Sequence, residues 1–144
     1  MEAEAHFGTA ITLNPRAYWV FQGYARAKVY NNEISEAEHL LKEADKIRPN
    51  HTRTLFEFGR IRQKQGLEAE AEDYFHRAIT ADENNVSAYV AMAKLLLRQQ
   101  KYEEGLDYAL AAASANPRDY SNRELVKEFR QRIEKAKSEN ASER

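Results

Sequence analysis

The fold is decided by residues 52–85, TRTLFEFGRIRQKQGLEAEAEDYFHRAITADENN, because the segments one period away on either side, at a spacing of about 34 residues, have a similar sequence. Small residues recur at this interval in two columns, and larger side chains recur beside them. The columns are Ala25, Gly59 and Ala93; Ala3, Ala37, Ala71 and Gly105; and Phe7, Leu41, Phe75 and Ala109. The chain is therefore predicted to be a repeat protein.

Each repeat is predicted to hold two amphipathic helices, because apolar residues recur within it at helical spacing. Short polar breakers, such as Gln65-Gly66, separate the two helices and make them antiparallel. The small residues allow a close approach of paired helices, so Gly59 is expected to lie opposite Ala71. Residues 35–38, SEAE, match a capping box that would open a second helix.

These residues resemble the tetratricopeptide repeat family, whose signature of aromatic residues, Leu-Gly, Ala-x-x-x-Phe and Pro has the same period. The central unit matches the signature at Leu55, Phe58, Gly59, Gly66, Ala71, Phe75 and Ala78. It departs at Arg62, where the family often has Tyr, and at Glu83, where it has Pro. The resemblance covers about residues 1–119. It implies an all-α, right-handed helical-repeat solenoid of antiparallel helix pairs with a C-terminal capping helix.

The domain organisation follows from the period. We expect one solenoid over residues 1–135, followed by a disordered tail over 136–144, which has nothing to bury. Within the solenoid the predicted parts are a half repeat over 1–15, repeats over 16–49, 50–83 and 84–117, and a capping helix over 119–135.

Composition excludes several classes of protein. The chain has no cysteine, so neither disulfides nor thiolate chemistry is available. It has 22 basic and 23 acidic residues, so no overall charge indicates nucleic acid or a membrane surface. No apolar run approaches the roughly 20 residues that span a bilayer, which predicts no membrane insertion. The start, MEAEAHFGTA, is no signal peptide, but the chain begins in mid-repeat, so an upstream targeting signal stays open and the compartment is not predicted.

The charges are sorted between the two kinds of helix. In a solenoid of helix pairs the first helices line the concave face. Of the fifteen first-helix positions that do not face the core, six are basic and none is acidic, whereas acids crowd the second helices. These fifteen positions are Trp19, Gln22, Arg26, Val29, Tyr30, Arg53, Phe56, Arg60, Gln63, Lys64, Ser87, Val90, Lys94, Leu97 and Arg98.

This sorting predicts a basic groove that binds a peptide segment of a partner protein, with an acidic segment as the sharper hypothesis. The candidate partner-binding residues are Trp19, Gln22, Arg26, Tyr30, Arg53, Phe56, Arg60, Lys64, Lys94 and Arg98. Two alternatives stay open: the basic stripe is a solvated helix face, or Trp19 fills the place of a missing upstream helix.

Some members of the family hold a C-terminal carboxylate with a clamp of Lys and Asn on successive first helices. The corresponding positions here are Gln22, Arg26, Glu57 and Arg60, so that pair is missing. The resemblance therefore disfavours chaperone-tail binding and leaves a different anion site open. RNA binding is also disfavoured, because RNA-reading repeats of this kind have about 35 residues and a polar code on each unit, whereas here the basic excess is confined to one groove that Glu57 fringes.

A non-catalytic protein is predicted, with no cofactor and no metal. The histidines His6, His39, His51 and His76 share no column. Glu36 and His39 have the spacing of one di-iron ligand pair, but the further carboxylates that such a site needs are missing. The alternative function is self-association, or membership of a longer superhelix, through the unpaired N-terminal helix and its residues Ala3, Phe7 and Ala10.

Overall fold

In a computed structural model of the chain, the backbone is described for residues 2–143 and the side chains for residues 4–143. Every regular element in that part of the chain is an α-helix. The helices are α1 Glu2–Leu13, α2 Tyr18–Tyr30, α3 Ile34–Ile47, α4 Thr52–Lys64, α5 Glu68–Ala81, α6 Val86–Arg98, α7 Tyr102–Ala115 and α8 Tyr120–Ser142. The predicted class, an all-α helical-repeat solenoid, is confirmed.

The described chain forms two compact units, of which the first ends at Glu83 and the second begins at Asn84. The division lies at the predicted boundary between the repeats 50–83 and 84–117. The first unit contains α1 to α5 and the second contains α6 to α8. Within residues 2–143, no helix combines the length and the apolar character that a membrane crossing requires.

The turn between the two helices of a repeat has the same backbone in all three full repeats. Asn32, Gly66 and Gln100, which are successive residues of one column, have φ values of 64°, 75° and 60°. The next amide then donates to a carbonyl five residues back, for example Leu67 N to Arg62 O at 2.9 Å. This is the left-handed helix cap that glycine adopts at least cost, which explains the family-like Gly66.

The predicted core columns are buried. In α3, α5 and α7 the side chains at the positions of Ala37, Leu41 and Ala44 are fully buried, and so are Ala25 and Ala93 on first helices. The predicted capping box is wrong, however. Helix α3 begins at Ile34, its N-cap Glu33 makes no side-chain capping bond, and Glu38 accepts a hydrogen bond from Arg62 at 2.8 Å instead.

In the first unit, the side chain that lies nearest to Gly59 is an aromatic ring. A Cβ atom at Gly59 would come within 2.5 Å of Phe75 Cε1. Phe75 itself is fully buried in α5, and the neighbouring Phe58 stacks on Tyr74 with ring centroids 5.3 Å apart. The missing side chain of Gly59 therefore makes room for the Phe75 ring, which is larger than the expected alanine.

The second unit repeats this arrangement with a different pair of helices. Phe129 of α8 is fully buried, and a Cβ atom at Gly105 of α7 would come within 2.6 Å of its Cζ. Leu125 and Val126 complete the apolar face that α8 places on the second unit. Helix α8 thus occupies the place of the predicted capping helix.

The predicted disorder of residues 136–144 does not agree with the structure, because α8 continues to Ser142. The sequence here contains Ala, Lys, Glu and Arg, which favour helix without tertiary burial. A pair such as Lys137 and Glu134, with N···O at 3.9 Å, adds weak support along the helix.

A buried cation bridges successive second helices of the first unit. Lys28 Nζ binds Glu33 at 2.8 Å and Glu36 at 2.9 Å, and it also contacts Glu4 of α1. Its hydrogen bonds to these carboxylates raise the pKa of Lys28, and the hydrogen bond from Lys28 lowers the pKa of Glu4.

Arg62, one period later, repeats the arrangement. It binds Glu38 of α3 at 2.8 Å and Glu70 of α5 at 2.9 Å. The acids are one period apart as well, since Glu38 and Glu70 correspond to Glu4 and Glu36. The equivalent of the two cations in α6 is Leu96, which is fully buried.

Candidate partner-binding surface

A polar contact fixes α2 against α4 in the first unit. Gln22 Nε2 donates to Thr54 Oγ1 at 2.8 Å and lies 2.9 Å from His51 Nδ1. His51 also caps α4 by accepting from the backbone N of Arg53 at 3.3 Å. Only 1% of Gln22 is exposed and Thr54 is fully buried. Gln22, which was predicted to bind a partner, instead holds two first helices together, because its amide satisfies buried polar groups.

Three arginines of α2 and α4 act on one buried carboxyl group. Arg53, Glu57 and Arg60 have i, i+4, i+7 spacing on α4 and share one face. Arg60 donates from an Nη atom to Glu57 Oε2 at 3.2 Å, while Arg26 of α2 and Arg53 act on the same carboxyl group electrostatically. We call Arg26, Arg53 and Arg60 the arginine cluster.

Glu57 is 2% exposed, and its burial raises the pKa of its carboxyl group although the three arginines oppose the shift. Desolvation of the carboxylate therefore outweighs the attraction of the cluster. The charged side chains of Arg26 and Arg53 are exposed, and neither makes an ion pair with any side chain of residues 4–143. The surface thus has two uncompensated guanidinium groups beside a third that is paired.

Aromatic side chains flank the arginine cluster on α2. Trp19 is 55% exposed and Tyr30 is 84% exposed, and both lie on the helix that carries Arg26. Trp19 packs edge-to-face on Tyr18, with ring centroids 5.3 Å apart, so it has a defined platform. Lys64, one turn beyond Arg60, is exposed as well. These residues can contact a segment that lies along the cluster.

Two other first-helix residues face inward. Phe56 is half-buried and its ring lies 5.7 Å from the ring of Phe75, so it belongs in part to the helix-pair core. Val29 is fully buried. Neither offers the exposed surface that the groove prediction gave it, because at these positions the side chain points toward the second helices.

The second unit has a groove of its own between α6 and α8, with a volume of about 680 Å³. Its apolar floor includes Val90 and Leu125, and the predicted partner-binding residue Lys94 lines it. Arg98, one turn further along α6, is exposed. On α8 the groove is lined by acids as well as bases, so its charge is mixed, in contrast to the arginine cluster of the first unit.

The predicted self-association surface is only partly described, since Ala3 lies outside the described side chains. Phe7 stacks on Tyr24 at 5.1 Å and is half-exposed, as is Ala10. In α3, α5 and α7 the same two columns are fully buried. Helix α1 is thus less covered than the other second helices at these positions.

Glu57 was expected at the edge of the groove, and no role there was expected for His51 or Thr54; in the structure Glu57 and Thr54 are buried and His51 contacts Gln22. One signal for Glu57 was available: its column contains Gly23 and Ala91, so a charged residue stands among small ones. His51 shares the helix N-cap column with Asn85 and Asp119, whose side chains also cap their helices. Their pairing with Gln22 depends on side-chain geometry that a repeat pattern does not contain.

In residues 4–143 no three His, Asp or Glu side chains are grouped in a way that could hold a metal ion. Glu36, one member of the pair that has di-iron spacing, is instead bound to the ammonium of Lys28 at 2.9 Å.

Comparison with known proteins places these features in context. A tetratricopeptide repeat family model matches residues 52–85, the segment with the most regular period. Anaphase-promoting complex subunit 7 of Homo sapiens is 29% identical over 129 residues, which are 89% of this chain and 23% of that protein. The chain thus spans about a quarter of the length of the curated relative that it matches.

Solved structures share the fold at low identity. The first tetratricopeptide repeat domain of Spaghetti (RPAP3), bound to the HSP90 peptide SRMEEVD, superposes with a TM-score of 0.73 at 14% identity, covering 81% of this chain and 94% of that one. The Sgt2 domain from Aspergillus fumigatus gives a TM-score of 0.74 at 15% identity, covering 84% and 82%. YrrB, described as having an unusual peptide-binding site, gives 0.71 at 20% identity, covering 83% and 62%.

Proposed function

Because this chain is a tetratricopeptide repeat protein, we propose that it is a non-catalytic scaffold that binds a segment of a partner protein along its first helices. The acidic character of that segment is the finer part of the proposal. The observation that carries it is the arginine cluster of the first unit, in which Arg60 is paired with the buried carboxyl group of Glu57 and Arg26 and Arg53 act on the same group electrostatically.

Two features of the surface support a peptide as the ligand. Its arginines present planar donor groups that suit carboxylates, and exposed Trp19 and Tyr30 add apolar contact area on either side of Arg26. Among the neighbours of known structure, the RPAP3 domain is bound to a peptide with two Glu and one Asp. In this chain the positions of the family's Lys and Asn clamp hold Gln22, Arg26, Glu57 and Arg60. Because Gln22 and Glu57 are buried, Arg26 and Arg60 would supply the donors for an acidic segment.

The proposal predicts that charge reversal at Arg26 and Arg60 abolishes binding of an acidic peptide. The probe is a fluorescent decapeptide with Asp-Glu-Asp-Glu at its centre, measured by fluorescence anisotropy. We expect Arg26→Glu combined with Arg60→Glu to weaken it by about a hundredfold or more, because two attractions become repulsions. The wild-type affinity should also fall between about 50 and 300 mM salt, as exposed charges are screened.

The matched control reverses the same number of charges elsewhere. Arg77→Glu with Arg118→Glu changes two exposed arginines outside the first helices and should leave the affinity within about threefold of the wild type. Equal weakening in both double variants, or an affinity that does not respond to salt, would contradict the assignment of the surface.

A second candidate function is self-association through α1. It is favoured by the half-exposed Phe7 and Ala10, whose equivalents in other second helices are fully buried, and by Leu13, which is 81% exposed. A second copy of the chain could cover this face, since an isologous contact uses the same surface on both partners.

Sedimentation equilibrium tests this second candidate. A self-associating chain should show a mass that rises with concentration, and both Phe7→Asp and Leu13→Asp should return it to the monomer mass. Leu13→Asp is the safer variant, because Phe7 also packs on Tyr24 and its loss destabilises α1. A wild-type chain that stays monomeric up to about millimolar concentration, well above the micromolar range of specific complexes, would dispose of the idea.

A further inference from the structure

We propose that the arginine cluster of the first unit recognises a phosphoryl group, so that the partner segment carries a phosphorylated side chain. This inference rests on the proposed function, since it names the chemical group that the same surface accepts.

The two helices that carry the cluster are held together before any ligand arrives. Gln22 lies one helical turn before Arg26 on α2, and its bonds to Thr54 and His51 fix that turn against the first turn of α4. Arg53 and Arg60 then lie on the same face of α4, on either side of Glu57. Because the two helices do not have to be brought together on binding, a compact ligand with several acceptors can engage donors from both of them.

The charges at the cluster favour a dianion. Three guanidinium groups and the carboxylate of Glu57 give a local charge of about +2, counted with every group ionised. Glu57 is buried and its carboxylate is paired with Arg60, so it does not neutralise the charges of Arg26 and Arg53 to the same extent. A phosphoryl monoester carries about −1.5 to −2 near pH 7 and has three terminal oxygens, whereas one carboxylate supplies a single charge and two oxygens.

Glu57 acts as a positioning residue in this arrangement. Its carboxylate accepts a hydrogen bond from Arg60 at 3.2 Å and so limits the orientations of that guanidinium group. It also removes one positive charge, which keeps the site from attracting anions without discrimination. Lys64, one turn beyond Arg60, and Tyr30, one turn beyond Arg26, leave exposed polar groups where a ligand chain would continue.

The experiment uses the full chain and three small probes. N-acetyl-phosphoserine-N-methylamide, the aspartate analogue and the serine analogue are titrated while the arginine Nε–H signals are followed by NMR. We expect phosphoserine to shift the signals of Arg26, Arg53 and Arg60 and to half-saturate them at about a tenfold lower concentration than aspartate. Serine should shift none of them. Equal half-saturation by phosphoserine and aspartate would overturn the proposal.

Two controls distinguish specific binding at the arginine cluster from a general attraction of anions to exposed arginines. Arg26→Gln with Arg60→Gln should abolish the shifts at Arg53, while Arg118→Gln should leave all three signals as in the wild type. Phosphoserine-induced shifts of the same size at Arg77 and Arg118 would mean adventitious binding and would sink the idea. Thermal melting of the double variant shows whether it is still folded, and Arg26→Lys supplies a milder change that keeps the charge but loses the planar donor group.

The role of Glu57 is tested with Glu57→Gln, which leaves a local charge of about +3 at pH 7. Phosphoserine should then bind at least about threefold more tightly. Burial raises the pKa of Glu57, so acidification protonates it and adds positive charge at the wild-type site while phosphoserine loses charge near pH 6. Glu57→Gln cannot gain this proton. Its affinity for phosphoserine should therefore fall more steeply below pH 6 than the affinity of the wild type. Weaker phosphoserine binding in the variant at pH 7 would refute the charge argument.

Failure of this inference can be told from failure of the proposed function. If the acidic decapeptide binds and depends on Arg26 and Arg60, but phosphoserine has no advantage over aspartate, the surface binds carboxylates and only the present inference is wrong. If neither the decapeptide nor phosphoserine affects the three arginine signals, both are wrong.

Discussion

Phe75→Ala is expected to lower the free energy of unfolding by about 3–5 kcal/mol, the range for truncation of a large buried aromatic residue. Phe75 of α5 is fully buried against α4, where it contacts both Gly59 and Phe56. Its removal would leave a cavity beside Gly59, which has no side chain to fill it. Urea titration followed by far-ultraviolet circular dichroism measures the change.

Gly59→Leu tests the same contact from the other side. Since a Cβ atom alone would come within 2.5 Å of the Phe75 ring, the leucine forces the helices apart. The variant should lose about 2–3 kcal/mol, after allowance for the roughly 1 kcal/mol that leucine gains over glycine in a helix.

The double variant distinguishes a specific contact from two separate defects. In the Phe75→Ala background the ring is gone, so Gly59→Leu should cost less than about 1 kcal/mol or restore part of the lost stability by filling the cavity. Additive losses would mean that Gly59 and Phe75 do not oppose each other, and the helix register of the first unit would be wrong.

Phe129→Ala is expected to destabilise the second unit by about 3–5 kcal/mol as well. Phe129 is fully buried and comes closest to Gly105, and α8 otherwise contributes mainly Leu125 and Val126 to this core. Because Gly105 and the alanines Ala109 and Ala112 of α7 have little or no side chain, they cannot fill the space that the ring leaves. The loss should appear in the urea transition measured by circular dichroism.

The comparison for Phe129→Ala is Gln131→Ala, an exposed position two residues further along α8. It should change the free energy of unfolding by no more than about 0.5 kcal/mol. Similar stability for Phe129→Ala and the wild type would show that α8 does not close the second unit, and the assignment of a capping helix would then fail.

The sequence was sufficient to predict the repeat, its helices and much of its core. The period of the repeat predicted two helices in each of the three full repeats, as observed, and Ala37 and Leu41 of the predicted columns are buried as expected. A periodic pattern predicts helices and core positions because equivalent residues in successive repeats have equivalent surroundings. The tail was mispredicted because composition was taken to indicate disorder, although Ala, Lys and Glu can form helix without burial.

The site could be predicted only as a basic stripe. Arg26, Arg53 and Arg60 were found from their positions, but periodicity alone could not show that Gln22 is buried or that Glu57 lies beneath the arginines. Both side chains are polar, and their burial depends on partners that belong to one repeat only: Thr54 and His51 for Gln22, and Arg60 for Glu57. The geometry of the site therefore depends on residues that differ from their equivalents in the other repeats, which a comparison of columns does not interpret.

The paired acids around Lys28 and Arg62 have a consequence for insertions and deletions. Loss of residues 33–66 would join Asn32 to Leu67 and put Glu70 in the place of Glu36, so Lys28 would still meet Glu4 and a second carboxylate. A deletion that starts at residue 33 and is a few residues shorter or longer would not put Glu70 in that place. The ion pairs of Lys28 are therefore compatible with the loss of one whole module.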